Sequence, residues 1–292
     1  MINFFADTSS SIQIVPLSRL FLIFLLYSFI GWCCEVLYVG IFFEHKFVNR
    51  GFLHGPVCPI YGFGGLVVMM LPQEVKSSWL TLFVSSMVLC SVVEYITSWQ
   101  MEKVFKMKWW DYSDKKFNIK GRVCLLNSTL FGVMGLVVVH FVQPVVNHFV
   151  FRLSDTVTQY LAGGLALIFI VDYIVTIHKL VDFSTTMAKL KEFGESLKEQ
   201  YAGEAWFRSS NLTEMFSSIK EYAAVEKDRF SKGLLGRIEA FSEHHPDEEL
   251  FVIRFPRLSS SNYKESLALI KQRVTDSIYE KKAALEQKRK GK

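Results

Sequence analysis

The chain has 292 residues, of which 50% are apolar and only 21% charged, with 26 phenylalanines and a formal net charge of +5. A positive mean hydropathy of +0.24 over this length argues against a soluble globular protein, and so small a net charge gives no reason to expect a nucleic-acid partner. The average conceals a division, since residues 1–180 hold 13 Lys and Arg and 10 Asp and Glu, whereas residues 181–292 hold 20 and 18. A transmembrane domain over 1–180 and a charged, amphipathic tail over 181–292 are therefore expected.

At the start of the chain, MINFFADTSS has no basic stretch, and no small-residue cleavage site follows the first apolar run, which reads as a retained span. A bilayer core of roughly 30 Å takes about 20 apolar helical residues. Four runs meet that length: Leu17–Phe43, Trp79–Trp99, Val123–Val146 and Tyr160–Leu180. A fifth, Leu53–Leu71, is shorter and contains Pro56, Pro59, Gly62, Gly64 and Gly65, which predicts a short span or a re-entrant helix. The expected fold class is all-α: a polytopic membrane bundle of about five spans, the second short and broken, with a C-terminal cytoplasmic helical segment. Cys33, Cys34, Cys58, Cys90 and Cys124 fall in or beside apolar runs and read as reduced.

Five spans put the termini on opposite sides. One side carries Arg19, Lys76 and Arg152; the other carries Lys46, Arg50, Lys103, Lys106, Lys108, Lys115, Lys116, Lys120, Arg122 and the tail. The positive-inside rule then places the N-terminus outside and the C-terminus in the cytoplasm.

Ionisable groups within membrane helices are costly and mark pairing or function. Glu35, Glu94 and Asp172 come from three spans at a similar depth, near the cytoplasmic ends, and His54 enters from the broken segment. Ser28, Gly31 and Glu35 share a helical stripe, as do Glu94, Ser98 and Glu102, and Asp172, Thr176 and Lys179. Asn127 and Ser128 open the fourth span. Two readings stand: a polar cavity open to the cytoplasm, or structural ties such as Asp172 with Lys179 and Glu94 with Arg122.

The loops offer the same choice. In Asn49–Gly62, Arg50 can grip an anion and His54 can shuttle a proton; alternatively the segment is a tight connection anchored by Arg50. From Glu102 the next loop runs through Trp109, Trp110, Asp111 and Tyr112 to Asn118, Gly121 and Arg122. Its aromatics and lysines suit an interface with anionic lipid, while Glu102 and Asp111 require a basic partner, Arg122 or Arg50. No metal or other cofactor is expected, because prolines disrupt helical ligation by His54 and Cys58. No G-x-x-x-x-G-K-[ST] run occurs, so the chain has no P-loop. The tail predicts helices near 184–202, 211–243 and 262–289, suited to a partner or to dimerisation. Its basic end, Lys281, Lys282, Lys288, Arg289 and Lys290, either touches anionic lipid or is solvated.

The runs FIGWCCEVLY, NRGFLHGPVCPIYGFG, VEYITSWQMEKVF and KWWDYSDKKFNIKGRVCL, with a small-residue fourth span, resemble the bacterial CmpB-like ABC-transporter type IV permease family over roughly residues 18–180. The resemblance implies a permease-like component of a bacterial plasma membrane, with Glu35, Asn49, Arg50, His54, Glu94, Glu102, Trp109, Trp110, Asp111, Tyr112, Asn118 and Arg122 as motif residues. Together with Asp172, these are the candidate cavity residues. A transport role would draw energy from a separate ATPase subunit or an ion gradient. Two alternatives remain: an enzyme acting on a lipid or peptide at the inner interface, with His54 as base and Glu35 or Glu94 orienting it, and a scaffold or sensor whose spans only anchor the tail.

Overall fold

Long apolar runs free of proline propagate as helices, and this chain is built almost wholly from them. The computed structural model describes residues 3–6, 12–39, 49–226, 228–242 and 246–290; Lys46 and the side chains of Lys281, Lys282, Lys288, Arg289 and Lys290 lie outside them. A small antiparallel ribbon, β1 (Asn3–Ala6) and β2 (Ile12–Ile14), pairs Phe5 with Gln13 and Ala6 with Ile12. It precedes α1 (Leu17–Val39). Two compact units follow from the packing: Met1–Glu102 with Trp110–His178, and Lys103–Trp109 with Lys179–Lys292.

The first unit contains four helices long and apolar enough to cross a membrane. These are α1, α4 (Trp79–Phe105), the pair α5 (Leu125–Val137) and α6 (Gln143–Arg152) joined through a π-helical turn at Val138–Val142, and α7 (Asp155–Tyr201). The fifth expected span is different. Only α2 (Pro59–Met69) is helical there, at 11 residues, a length of about 16 Å that covers half a bilayer core. Residues 49–58 lead into it as irregular backbone. Proline at the first position of α2 explains the sharp helix start, since its missing N–H is one the helix would leave unpaired. A short α3 (Gln73–Ser77) connects onward.

Close approach between α1 and α2 rests on glycine. A Cβ on Gly31 would meet Tyr61, one on Gly62 would lie 2.3 Å from Ser28 Oγ, and one on Gly65 would meet Tyr27. Ascending along α2 is therefore descending along α1, so the two are antiparallel. Met69 at the end of α2 joins Leu20, Ile23, Tyr27, Val146, Val150 and Ala162 in one apolar cluster. Arg19 Nη2 pairs with Asp155 Oδ1 at 2.8 Å, which sets the starts of α1 and α7 level. Ser91 Oγ donates to Ser128 Oγ at 2.7 Å between α4 and α5, where Gly132 and Gly135 abut Phe83 and Ser86. Of the four spans α1 is the most enclosed; the outer faces of α4 to α7 carry exposed Val88, Val92, Leu130, Leu167 and Ile168, the pattern a lipid solvent permits.

In the second unit α7 continues unbroken through the position where the sequence suggested a new helix, and it buries Phe183, Met187, Leu190, Phe193 and Leu197 at three- and four-residue spacing. Against that stripe pack α8 (Leu212–Glu226), α9 (Arg229–Ser242), α10 (Pro246–Arg254) and α11 (Lys264–Lys290). The expected helix over 211–243 is two helices, because the Asp228 carboxylate accepts the Ser231 amide at 2.6 Å and begins α9. Residues 103–109 belong here as well. Lys108 and Ser259 exchange backbone hydrogen bonds at 2.8 and 2.9 Å, and Ser260 Oγ donates to the Lys106 carbonyl at 2.6 Å. Trp109 is buried among Phe105, Phe251 and Phe255.

Candidate polar site in the membrane unit

Irregular backbone at membrane depth must find its hydrogen bonds inside the protein. In residues 49–58 two side chains supply several of them. Asn49 Oδ1 accepts from the Gly51 amide at 2.9 Å and from Trp32 Nε1 at 2.7 Å, while its Nδ2 donates to the His54 carbonyl at 3.0 Å. From α7, Asp172 takes the next two amides, His54 N on Oδ1 at 3.0 Å and Gly55 N on Oδ2 at 2.8 Å. The Cys58 amide reaches the Ser28 carbonyl at 3.0 Å, and the Arg50 carbonyl accepts from the Cys58 thiol at 3.9 Å. Gly55 admits the carboxylate because a Cβ there would lie 2.9 Å from Asp172 Oδ2. His54 Nδ1 sits 3.0 Å from Thr176 Oγ1 and 3.4 Å from Asp172 Oδ1. Asp172 and Thr176 thus orient His54, a role the sequence left to Glu35 or Glu94.

The two glutamates form a separate group. Glu35 on α1 accepts from the Tyr61 hydroxyl on α2 at 2.6 Å. Glu94 on α4 is 6% exposed; its Oε1 takes a long contact of 3.4 Å from the Tyr112 hydroxyl, and among the described residues no donor reaches its Oε2. Asn127 at the start of α5 adjoins both Glu94 and Tyr112. Tyr112 also lies within electrostatic reach of Glu35 and of Tyr61. Burial, then the charges of Glu94, Cys124 and Glu35, push the Tyr112 phenol well above its ordinary range. It stays a hydrogen-bond donor at any physiological pH.

Most of the remaining candidates build the loop that delivers Tyr112. The Tyr112 amide donates to the Gly121 carbonyl at 2.8 Å, and the Gly121 amide to Asn118 Oδ1 at 3.0 Å. Asn118 Nδ2 reaches back to the Lys115 carbonyl at 2.8 Å. Asp111 accepts from the Ser113 amide at 3.0 Å. Gly121 has φ +68°, and a Cβ there would stand 2.3 Å from Asp111 Oδ1, so conformation and space both require glycine. Trp110 Nε1 donates to the Arg122 carbonyl at 3.0 Å. Arg122 engages Glu102 Oε2 through Nη2 at 2.6 Å, donates to Tyr95 OH at 2.9 Å, and lies 5.0 Å over the Tyr95 ring. The Glu102 partner is one of the two expected; the suggested Glu94–Arg122 tie gives way to it. Trp109 lies in the second unit, apart from these groups.

Sequence reasoning missed Tyr61 and Tyr95. A phenol inside an otherwise apolar run is a polar handle needing a partner, and that signal was present at both positions.

An all-helical bundle with four spans, a half-length helix and buried acids defines a multi-pass membrane protein. The family model described as Putative ABC-transporter type IV matches residues 22–177, more than half of the chain, and the protein belongs to that family. No curated protein and no solved structure matches it.

Proposed function

We propose that this chain is a permease component in which the transported solute meets Glu94, Tyr112, Glu35 and Tyr61 in the cytoplasmic half of the bilayer. The observation that carries the reading is Glu94, a nearly inaccessible span carboxylate with one oxygen that no donor reaches among the described residues. An acid kept for structure alone is paired, as Glu102 is with Arg122 at 2.6 Å, or hydrogen-bonded through both oxygens, as Asp172 is by two backbone amides. Here, instead, the partners are neutral, the Tyr112 phenol and the Asn127 amide.

The half-helix supports the same reading, since helices that begin inside the membrane behind irregular backbone are a recurrent feature of solute sites in transporters. The orientation is N-terminus outside and C-terminus cytoplasmic in a bacterial plasma membrane, because the lysines of 103–120 gather at the ends of α4 and α5 remote from Arg19. Those lysines face anionic lipid, and the tail serves as the contact for a partner chain. Lacking a P-loop, the protein draws energy from a separate ATPase subunit or from an ion gradient.

The test is flux in proteoliposomes. Glu94→Gln and Tyr112→Phe should each reduce uptake or efflux at unchanged protein incorporation; wild-type flux in Glu94→Gln sinks the proposal.

A further inference from the structure

The group around Glu94 also bears on what is carried, an inference that rests on the permease reading. The side chains acting on Glu94 are the Tyr112 phenol and the Asn127 amide; Cys90 lies one turn before it on α4, and Glu35 lies beyond Tyr112. None of these carries positive charge. Arg122, whose side chain ties the loop to α4, is engaged by Glu102 and Tyr95, and Lys115 of the same loop pairs with Asp114 at 3.3 Å. A carboxyl taken out of water either gains a countercharge or holds a proton, and among the described residues the side chains that act on Glu94 are a phenol and an amide.

We propose that the countercharge is the solute itself, a small organic cation of the ammonium type held by Glu94 with Tyr112 and Asn127. Glu35, held by Tyr61 at 2.6 Å, adds a second negative charge that Tyr112 also feels. An organic ammonium suits this setting better than a bare metal ion. Hard cations require six or more oxygens in their shell, whereas Glu94, Tyr112 and Asn127 offer few, and an organic cation also gains from a neighbouring aromatic ring such as that of Tyr112.

Binding can be measured without any gradient, by calorimetry on the full-length protein in nanodiscs. The probes are benzyltrimethylammonium, benzenesulfonate as an anion of similar size, and sodium and potassium chloride. Saturable binding of benzyltrimethylammonium alone is expected. Glu94→Gln should weaken it roughly 30-fold or more, the scale of a lost buried charge partner, and Glu94→Asp should restore part of the affinity. Glu221→Gln, in the tail, should leave it unchanged. Thermal unfolding of each variant shows whether it is folded, and the Asp variant carries the comparison if Gln is not. Equal binding of the sulfonate, binding of alkali ions only, no binding to the wild type, or wild-type affinity in Glu94→Gln overturns the assignment. Cation binding that survives while flux is indifferent to Glu94 overturns the permease reading instead.

Discussion

Asp172 on α7 holds two consecutive amides of a distant segment, those of His54 and Gly55, with one oxygen for each. A carboxylate accepting charge-assisted bonds from neighbouring backbone groups fixes both position and orientation. Replacement by Asn presents an amide NH2 to one of the two N–H groups, and Ala leaves both unmade. Asp172→Ala should cost about 1–3 kcal/mol per orphaned amide. The local readout is maleimide labelling of Cys58, which is 5% exposed in the intact segment and should react faster in the variant while Cys124 stays protected.

Glycines in this bundle divide by what surrounds them. Gly62→Ala forces a methyl to 2.3 Å from Ser28 Oγ, whereas nothing lies within 4 Å of a Cβ on Gly163. The first should destabilise by about 1–3 kcal/mol through overpacking; the second should be neutral or stabilising by up to about 1 kcal/mol, the helical cost of glycine. Thermal unfolding in one detergent, with both variants side by side, tests the contrast.

Arg122 and Glu102 should behave as a unit. Single replacements by Gln each strand a partner, and the double replacement should recover part of the loss, giving a coupling of about 0.5–3 kcal/mol in a double-mutant cycle. Arg122→Lys should not substitute well, because the fork to Glu102 and the stacking on Tyr95 both need a planar guanidinium. Additive single effects would mean that the pair carries no energy.

Trp109→Ala removes a ring enclosed by Phe105, Phe251 and Phe255. Buried aromatic truncations cost about 3–5 kcal/mol. The loss should appear as faster amide exchange in α10, the helix that carries Phe251.

In the tail, hydrogen bonds from the Ser231 side chain and amide hold the pKa of Asp228 below the usual carboxylate range. Its folded value lies under its unfolded one, so the contribution is complete above the ordinary carboxylate range and disappears as pH falls through the folded value. Helix α9 should therefore fray on acidification, as followed by amide exchange. Asp228→Asn should keep the cap and lose the pH dependence.

The spans were legible because length and hydropathy alone define them, and that Glu35, Glu94 and Asp172 would need partners within the protein was legible from their place in apolar runs. The partition of those acids was not. Periodicity puts Glu35, Glu94 and Asp172 on inward faces, but which of them meet depends on helix rotation and on the path of residues 49–58. Asp172 went to backbone amides, and no residue pattern announces that choice. Trp109 and Trp110 are adjacent in sequence yet belong to different units, a split that turns on the backbone pairing of Lys108 with Ser259 across 150 residues. The unbroken α7 was misjudged because composition changes near residue 181 while helix propensity does not.

The half-helix has a consequence for biogenesis. Eleven apolar residues behind ten irregular ones make a weak insertion signal, and the amides of His54 and Gly55 find their acceptor 117 to 118 positions later. During synthesis this stretch has to wait, wetted or shielded by other means, until the last span arrives. The last span to arrive is then also the one that locks the second.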